Sequence, residues 1–368
     1  MEPFKNLLGD QAAIKIAKAL ERAYPAFSSR TFLRDIKKDL EPLELKGRML
    51  LLKTRLETIL PQDPRESFAI LKAALKTSED DEVGLSGFLV WPFTQFVADQ
   101  GQAHFKLSMQ TLHAMTQVFT AEFAIRRFLI HNEEQSLKTL TQWTDDRSEH
   151  VRRLASEGSR PLLPWGERLP SFIKNPEKTW RLLERLKDDS SEYVRKSVAN
   201  HINDHSKNHG DWVVKNLKNW TSRAAESKEL NWIIRHGTRT LVKKGHTGAL
   251  ALHGIKNVGI ELVGQKIVTP RLRMGEFLQV ELRVKNCLKK EAAVIVDHQL
   301  MLLGSNGKYR TKVFKGKKLL LAPLETRSIA LQIRIKSVTV RKYYPGEQLW
   351  GVLVNGKSSK QLKFLLEK

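Results

Sequence analysis

Asp145-Asp146-Arg147-Ser148-Glu149-His150-Val151-Arg152-Arg153 returns 43 residues later as Asp188-Asp189-Ser190-Ser191-Glu192-Tyr193-Val194-Arg195-Lys196. Six of the nine positions are identical and the last is basic in both copies. A fainter echo aligns Glu157-Gly158-Ser159-Arg160-Pro161-Leu162 with His236-Gly237-Thr238-Arg239-Thr240-Leu241. In each strong copy an Asp precedes a Glu by three positions, which suits a capping box at a helix start. A helical stretch comes before each, Gln135 to Trp143 and Glu177 to Lys187. The unit is therefore a helix pair of about forty residues, the period of HEAT-type repeats that stack into a solenoid with a concave binding face.

Outward from the repeat, residues 1 to about 250 read as helix, with apolar residues at three-and-four spacing in Ala12 to Ala23, Leu50 to Leu60 and Ser67 to Leu75. Pro25, Pro42, Pro61 and Pro64 punctuate the series. The pattern then changes. Leu278 to Val284 and Ile329 to Ile335 alternate as half-buried strands, and Asn306-Gly307 and Asn355-Gly356 read as hairpin turns. The expected fold is a mostly α chain, a HEAT-like α-solenoid of paired helices over residues 1–254, followed by an immunoglobulin-like β-sandwich over 257–368.

The 368 residues carry 63 Lys and Arg against 40 Asp and Glu, a net charge of +23. From residue 257 onward 22 basic residues face 8 acidic ones, so +14 falls in the smaller domain. Such an excess points to a polyanionic partner. No apolar run approaches the roughly 18 residues of a membrane span, and MEPFKNLLGD has none of the regions of a signal peptide. A cytoplasmic protein, with no membrane partner, is expected. The single cysteine, Cys287, excludes an intrachain disulfide and any site built from several thiolates.

Three blocks carry a family resemblance: Leu45-Lys46-Gly47-Arg48-Met49 leading to Leu60-Pro61; Trp91-Pro92 with Phe96-Val97; and Val151-Arg152-Arg153-Leu154-Ala155-Ser156-Glu157-Gly158-Ser159-Arg160-Pro161 followed by Pro164-Trp165. On these, residues 1 to about 250 resemble the AlkC branch of the bacterial DNA alkylation-repair glycosylases, and the β-domain looks like the immunoglobulin-like extension of some members. The resemblance implies hydrolysis of the N-glycosidic bond of methylated bases such as 3-methyladenine and 3-methylcytosine. It implies no metal and no organic or nucleotide cofactor, and a lesion left largely in the stack. Double-stranded DNA carrying alkylated bases is the partner it implies, bound by a monomer near the nucleoid.

A base alkylated on a ring nitrogen is often cationic and leaves an oxocarbenium-like sugar, which calls for a negative charge and a positioned water. Glu157 ends its predicted helix, where the macrodipole disfavours an acid. Arg153 lies four residues earlier on the same face. Position alone favours a solvated helix-end glutamate; the resemblance reverses that choice. Glu122, carried over from the resemblance, is the second acid, although locally it looks like a first-turn glutamate paired with Arg126. Trp165 reads either as an aromatic wall against the damaged nucleotide or as a packing anchor. Arg152, Arg195 and Arg239 recur along the repeats, and with Arg160, Lys196 and Lys243 form the candidate DNA-binding set. A solvated charged face is the alternative.

His201, His205 and His209, with Asp204 and Asp211 near, would face one side only on a continuous helix, and Asn208-His209-Gly210 reads as a break, so no metal site is expected. Gly304 to Lys308 lacks the spacing of a phosphate loop. No G-x-S-x-G, H-E-x-x-H or dinucleotide fingerprint is present. A non-enzymatic repeat module binding DNA, RNA or an acidic protein is the competing function, since such solenoids often serve as scaffolds.

Overall fold

The computed structural model describes residues 3–223, 227–255, 259–336 and 343–367. Contacts divide the chain into two compact units, Met1–His205 and Ser206–Lys368. The first unit is helical. Asp10–Ala23, Leu45–Ile59 and Pro64–Ala73 contain the stretches read from periodicity. Pro25, Pro42 and Pro61 follow helix ends, but Pro64 opens a helix: its missing N–H costs nothing at the first position, and the Asp63 carboxylate accepts the Arg65 N–H at 2.8 Å.

The repeat forms two helix pairs, Glu133–Trp143 with Glu149–Gly158 and Glu177–Leu186 with Glu192–Ser206. The first pair packs on the Glu177–Leu186 helix. The recurring aspartates do not form the capping boxes expected of them. Asp146 and Asp189 each accept the N–H two residues on, from Ser148 and Ser191, both at 2.8 Å. Short Asx turns thus set the helix starts.

The recurring arginines, expected to meet phosphates, are engaged within the fold. Arg152 Nη1 donates to the carbonyls of Asp146 and Arg147 at 2.9 and 3.0 Å, and Arg195 Nη1 does the same to Asp189 and Ser190 at 2.6 and 2.8 Å. Arg152 also holds Asp189 of the next copy through Nε and Nη2, at 2.6 and 2.9 Å. Arg152 therefore stitches one pair to the next, whereas both Arg195 bonds stay within its own copy and brace the start of its own helix. Arg152→Ala should lower stability by about 2 kcal/mol, the scale of a hydrogen bond to a charged group, read by thermal melting. Unchanged melting with weakened DNA affinity would restore the phosphate role.

In the second unit, helices Gly210–Arg223, Lys228–Gly237, Arg239–Lys243 and Thr247–Leu252 precede nine strands among the described residues. These are β1 Ile260–Ile267, β2 Arg271–Leu272, β3 Phe277–Asn286, β4 Ala292–Leu303, β5 Tyr309–Leu321, β6 Thr326–Arg334, β7 Gly346–Val354, β8 Lys357–Ser358 and β9 Leu362–Leu366. One sheet runs β1-β3-β6; the other runs β2-β9-β7-β4-β5, with β8 on β7. Strand β3 alternates strictly between exposed and buried residues, as its sequence requires. Asn355 and Gly356 both adopt positive φ, 47° and 81°, the demand of a tight hairpin turn.

The boundary between units differs from the one expected near residue 255, and residue 257, the expected start of the sandwich, lies outside the described residues. Val214, Leu241, Val242, Ala249, Leu250 and Ile255 form one apolar cluster with Ala293 and Ile295 of β4 packed against it. A Cβ on Gly356 would lie 2.0 Å from Gly245 Cα, so helix turn and hairpin touch backbone to backbone. Deleting residues 257–368 should therefore uncover an apolar face and leave a fragment that melts lower and binds a hydrophobic dye. A fragment as stable as the whole chain would show that the last helices stand without the sandwich.

Histidines give the protein an acid-sensitive interior. Burial pushes His298 down to about 4, and its Nδ1 accepts the buried Trp350 indole N–H at 3.1 Å. Burial, with Lys318 and Arg235, also pushes His253 down to about 4. In the first unit burial, with His205 and Arg160, holds His201 well below the usual range. Each is neutral when folded, whereas the unfolded chain takes up protons below about pH 6.5. Stability is thus complete above pH 6.5 and lost as pH falls toward 4. Melting temperature measured from pH 7 to 4 should fall over that window, less so in His298→Gln, which keeps an acceptor for the indole.

Candidate active site

The helix Glu149–Gly158 ends on a carboxylate that its own dipole does not favour, and the surrounding elements supply what the helix does not. Glu157 is 6% exposed. Arg160, two residues past the helix, donates from Nη1 to Glu157 Oε1 at 2.7 Å; Ser197, from the Glu192–Ser206 helix, donates its hydroxyl to Oε2 at 2.6 Å. Arg153 Nη2 stands 3.5 Å from Oε1, the same-face pairing read from the sequence.

Arg153 also joins the second acid. Its Nη1 donates to Glu122 Oε2, and to the Thr120 hydroxyl at 2.9 Å. The Thr120 hydroxyl in turn donates to Glu122 Oε2 at 3.0 Å. Burial disfavours the Arg153 charge, but Glu157 and Glu122 outweigh it and hold the guanidinium above its usual range. Tyr193 lies under that guanidinium, 5.1 Å from ring centroid to Cζ. Two carboxylates on one bridging arginine thus converge from the turn before the Ile125–His131 helix and from the end of the next repeat helix.

Glu122 is not in a first helical turn and does not pair with Arg126, as its local sequence suggested. Arg126 is fully buried and turns away, donating to the Glu167 carbonyl through Nε and to the Gly158 and Arg160 carbonyls through Nη1 at 2.9 and 2.8 Å. Burial first, and Arg160 second, lower it to about 10. It remains charged at neutral pH and ties the end of the Glu157 helix to the loop that follows.

That loop, from Pro161 to Gly166, displays Trp165. Its side chain is 73% exposed, so it is not a packing anchor between repeats. Its φ is 63°, a left-handed backbone that costs a tryptophan on the order of 1 kcal/mol.

The DNA-binding set separates. Arg160 is buried, and besides Glu157 it holds Asp204 through Nε at 2.9 Å; it is a strut of the acid cluster, not an exposed cation. Lys196 is exposed and pairs with Glu192 one turn back, at 2.8 Å. Arg239 Nη1 donates to the His236 carbonyl at 2.6 Å. Lys243 is exposed and contributes to the field at Asp297 of β4. Of the histidines, His201 and His205 lie on the Glu192–Ser206 helix, and His209 lies beyond it. His201 Nδ1 bonds the Ser156 carbonyl at 2.9 Å, and both Nε2 atoms meet the Thr179 hydroxyl, at 3.1 and 2.9 Å. Among the described residues no group of three or more His, Cys, Asp or Glu is arranged to hold a metal.

Sequence reasoning missed Ser197, Tyr193 and Thr120, and gave Arg126 the wrong partner. Tyr193 alone had a signal, since it replaces His150 in the repeat register and the two rings meet at 5.8 Å. Asp204 was noticed only as a metal candidate.

A family model described as DNA alkylation repair enzyme matches residues 63–241, and one described as the C-terminal Ig-like domain of uncharacterised protein YhaZ matches residues 261–368. The uncharacterized protein YhaZ of Bacillus subtilis is 34% identical over 366 residues, 99% of each chain. A solved structure of the Pseudomonas fluorescens alkylpurine DNA glycosylase AlkC, bound to DNA containing an abasic site analog, is 34% identical, covers 100% of both chains and superposes with a TM-score of 0.90. The chain therefore belongs to the AlkC branch of the DNA alkylation-repair family, with that branch's immunoglobulin-like domain at its C-terminal end.

Proposed function

We propose that the protein is a DNA glycosylase that hydrolyses the N-glycosidic bond of cationic alkylated bases, 3-methyladenine and 3-methylcytosine among them, in double-stranded DNA. The observation that carries the reading is the acid pair, buried Glu157 and half-buried Glu122, bridged by Arg153, with an exposed, backbone-strained tryptophan on the loop that follows the Glu157 helix. The full-length likeness to a glycosylase supports the substrate class.

Departure of a positively charged base needs little protonation, because the base leaves neutral. What develops is positive charge on the sugar, and a preorganised carboxylate stabilises it most where water is scarce. Glu157 is fixed from both oxygens before any substrate arrives, so no reorganisation is needed during bond cleavage. Glu122, held by Thr120 and Arg153, would orient the attacking water, and Trp165 would lie against the damaged nucleotide. This chemistry asks for neither metal nor organic cofactor. An indole displayed on the surface suits a lesion approached from outside the duplex and left largely in the stack.

Incubation with methylated duplex DNA, followed by chromatography of the supernatant, tests the reading. Free methylated base, with abasic sites left in the DNA, is expected. Bound DNA with no base released would leave a repeat-protein scaffold instead.

A further inference from the structure

Trp165 is oriented by more than its loop. Pro164 and Gly166 fix its backbone, with Gly166 N–H on the Leu163 carbonyl at 3.2 Å, but an indole so exposed has little packing to set its side-chain angles. The ring beside it is Phe4, centroids 6.5 Å apart and planes tilted by 57°. Phe4 belongs to the short 3-10 helix Phe4–Leu8 and is itself 52% exposed. It is held edge-on by Phe88, at 5.2 Å and 86°. Phe88 meets Trp91 at 6.2 Å, and Trp91 meets Phe123 at 5.3 Å, next in sequence to Glu122. A line of five rings thus leads from the displayed indole to the turn that carries the second acid.

The N-terminal helix is anchored independently of the rings. Arg48 donates from Nη1 to the Lys5 carbonyl at 3.2 Å, and Lys5 pairs with Glu44 at 2.9 Å. Phe4 is therefore presented by a docked element. Two large exposed aromatic rings side by side mark a contact surface rather than a core. Tilted as they are, they cannot sandwich a base between parallel faces, and they offer one outward wall to a single nucleotide.

We propose that Phe4 is a positioning residue for Trp165, so that the Phe4–Leu8 helix forms part of the surface that receives the damaged nucleotide. What Trp165 touches rests on the glycosylase reading above; the Phe4–Trp165 coupling does not. Single-turnover excision of 3-methyladenine from a duplex would be compared for wild type, Phe4→Ala, Phe4→Tyr, Trp165→Ala and the Phe4→Ala/Trp165→Ala double variant. Acrylamide quenching of the DNA-free proteins, with Trp165→Phe subtracted, isolates the Trp165 signal.

Phe4→Ala should slow excision about 3- to 10-fold, the scale of one aromatic pair, with melting nearly unchanged. Phe4→Tyr should restore the rate to within about twofold, and the double variant should be no slower than Trp165→Ala alone. Trp165 should be more readily quenched in Phe4→Ala. Additive losses in the double variant, or quenching of Trp165 that Phe4→Ala leaves unaltered, would overturn the proposal. A wild-type protein that releases no base would remove the glycosylase reading, and the quenching comparison would still decide whether Phe4 orients Trp165.

Discussion

Arg126→Met should destabilise the protein by about 3–5 kcal/mol, as loss of a buried charged hydrogen-bonding group does. The guanidinium is the only side chain that reaches the carbonyls of Gly158, Arg160 and Glu167 in the hydrogen bonds described. Methionine fills the volume but donates nothing, so three buried or half-buried acceptors lose their partner. Melting should fall on the order of 10 °C for a unit of this size. Because those carbonyls bracket the loop bearing Trp165, excision should fall with stability. Arg126→Lys can satisfy one direction but not the fork, and should recover only part. Melting within about 2 °C of wild type for Arg126→Met, below the shift expected for 1 kcal/mol, would show that the loop is held by other contacts.

Glu157→Gln should reduce excision on the order of 100-fold or more, the contribution of a preorganised electrostatic group, while DNA binding persists. Glutamine keeps the shape and can still meet Ser197 and Arg160, but it removes the charge that the proposed mechanism sets against the sugar cation. Arg153 and Arg160 then lose one of their two carboxylates, so some thermal stability is also lost and melting must be measured beside rate. Lesions with a weaker tendency to depart should suffer more, because they depend more on the protein's field. Arg153→Ala should act on both acids at once. It unties Glu122 as well as Glu157, so its loss should exceed that of an orienting group for one carboxylate.

The helix pairs and the β-sandwich were legible in the sequence because period and alternation are local signals: the 43-residue repeat and the strict alternation of Leu278 to Val284 survive unchanged in three dimensions. The unit boundary was not. It depends on Ala293 and Ile295 packing on Val214, Leu241 and Leu250 of helices far earlier in the chain, which no window of sequence shows. Glu157 and Arg153 were legible as a same-face pair at a helix end. The bridge from Arg153 to Glu122 spans 31 residues and was not. Repetition of Arg152 and Arg195 was legible but its use was not, because a recurring arginine can brace its own helix start, as Arg195 does, or the next repeat, as Arg152 does, as readily as it can meet a ligand. Trp165 gave no sequence sign of its left-handed backbone, which belongs to its loop as a whole.

On the proposed mechanism a fixed carboxylate at residue 157 drives base release. Its most direct test is the single-turnover rate of free 3-methyladenine release from one methylated duplex by wild type and by Glu157→Gln, at saturating protein, with affinity and melting taken on the same preparations. Wild type should release the base, and the variant should bind the duplex yet release it on the order of 100-fold more slowly. Rates within about threefold of each other, with binding and folding intact, would contradict the account and move the chemistry away from Glu157.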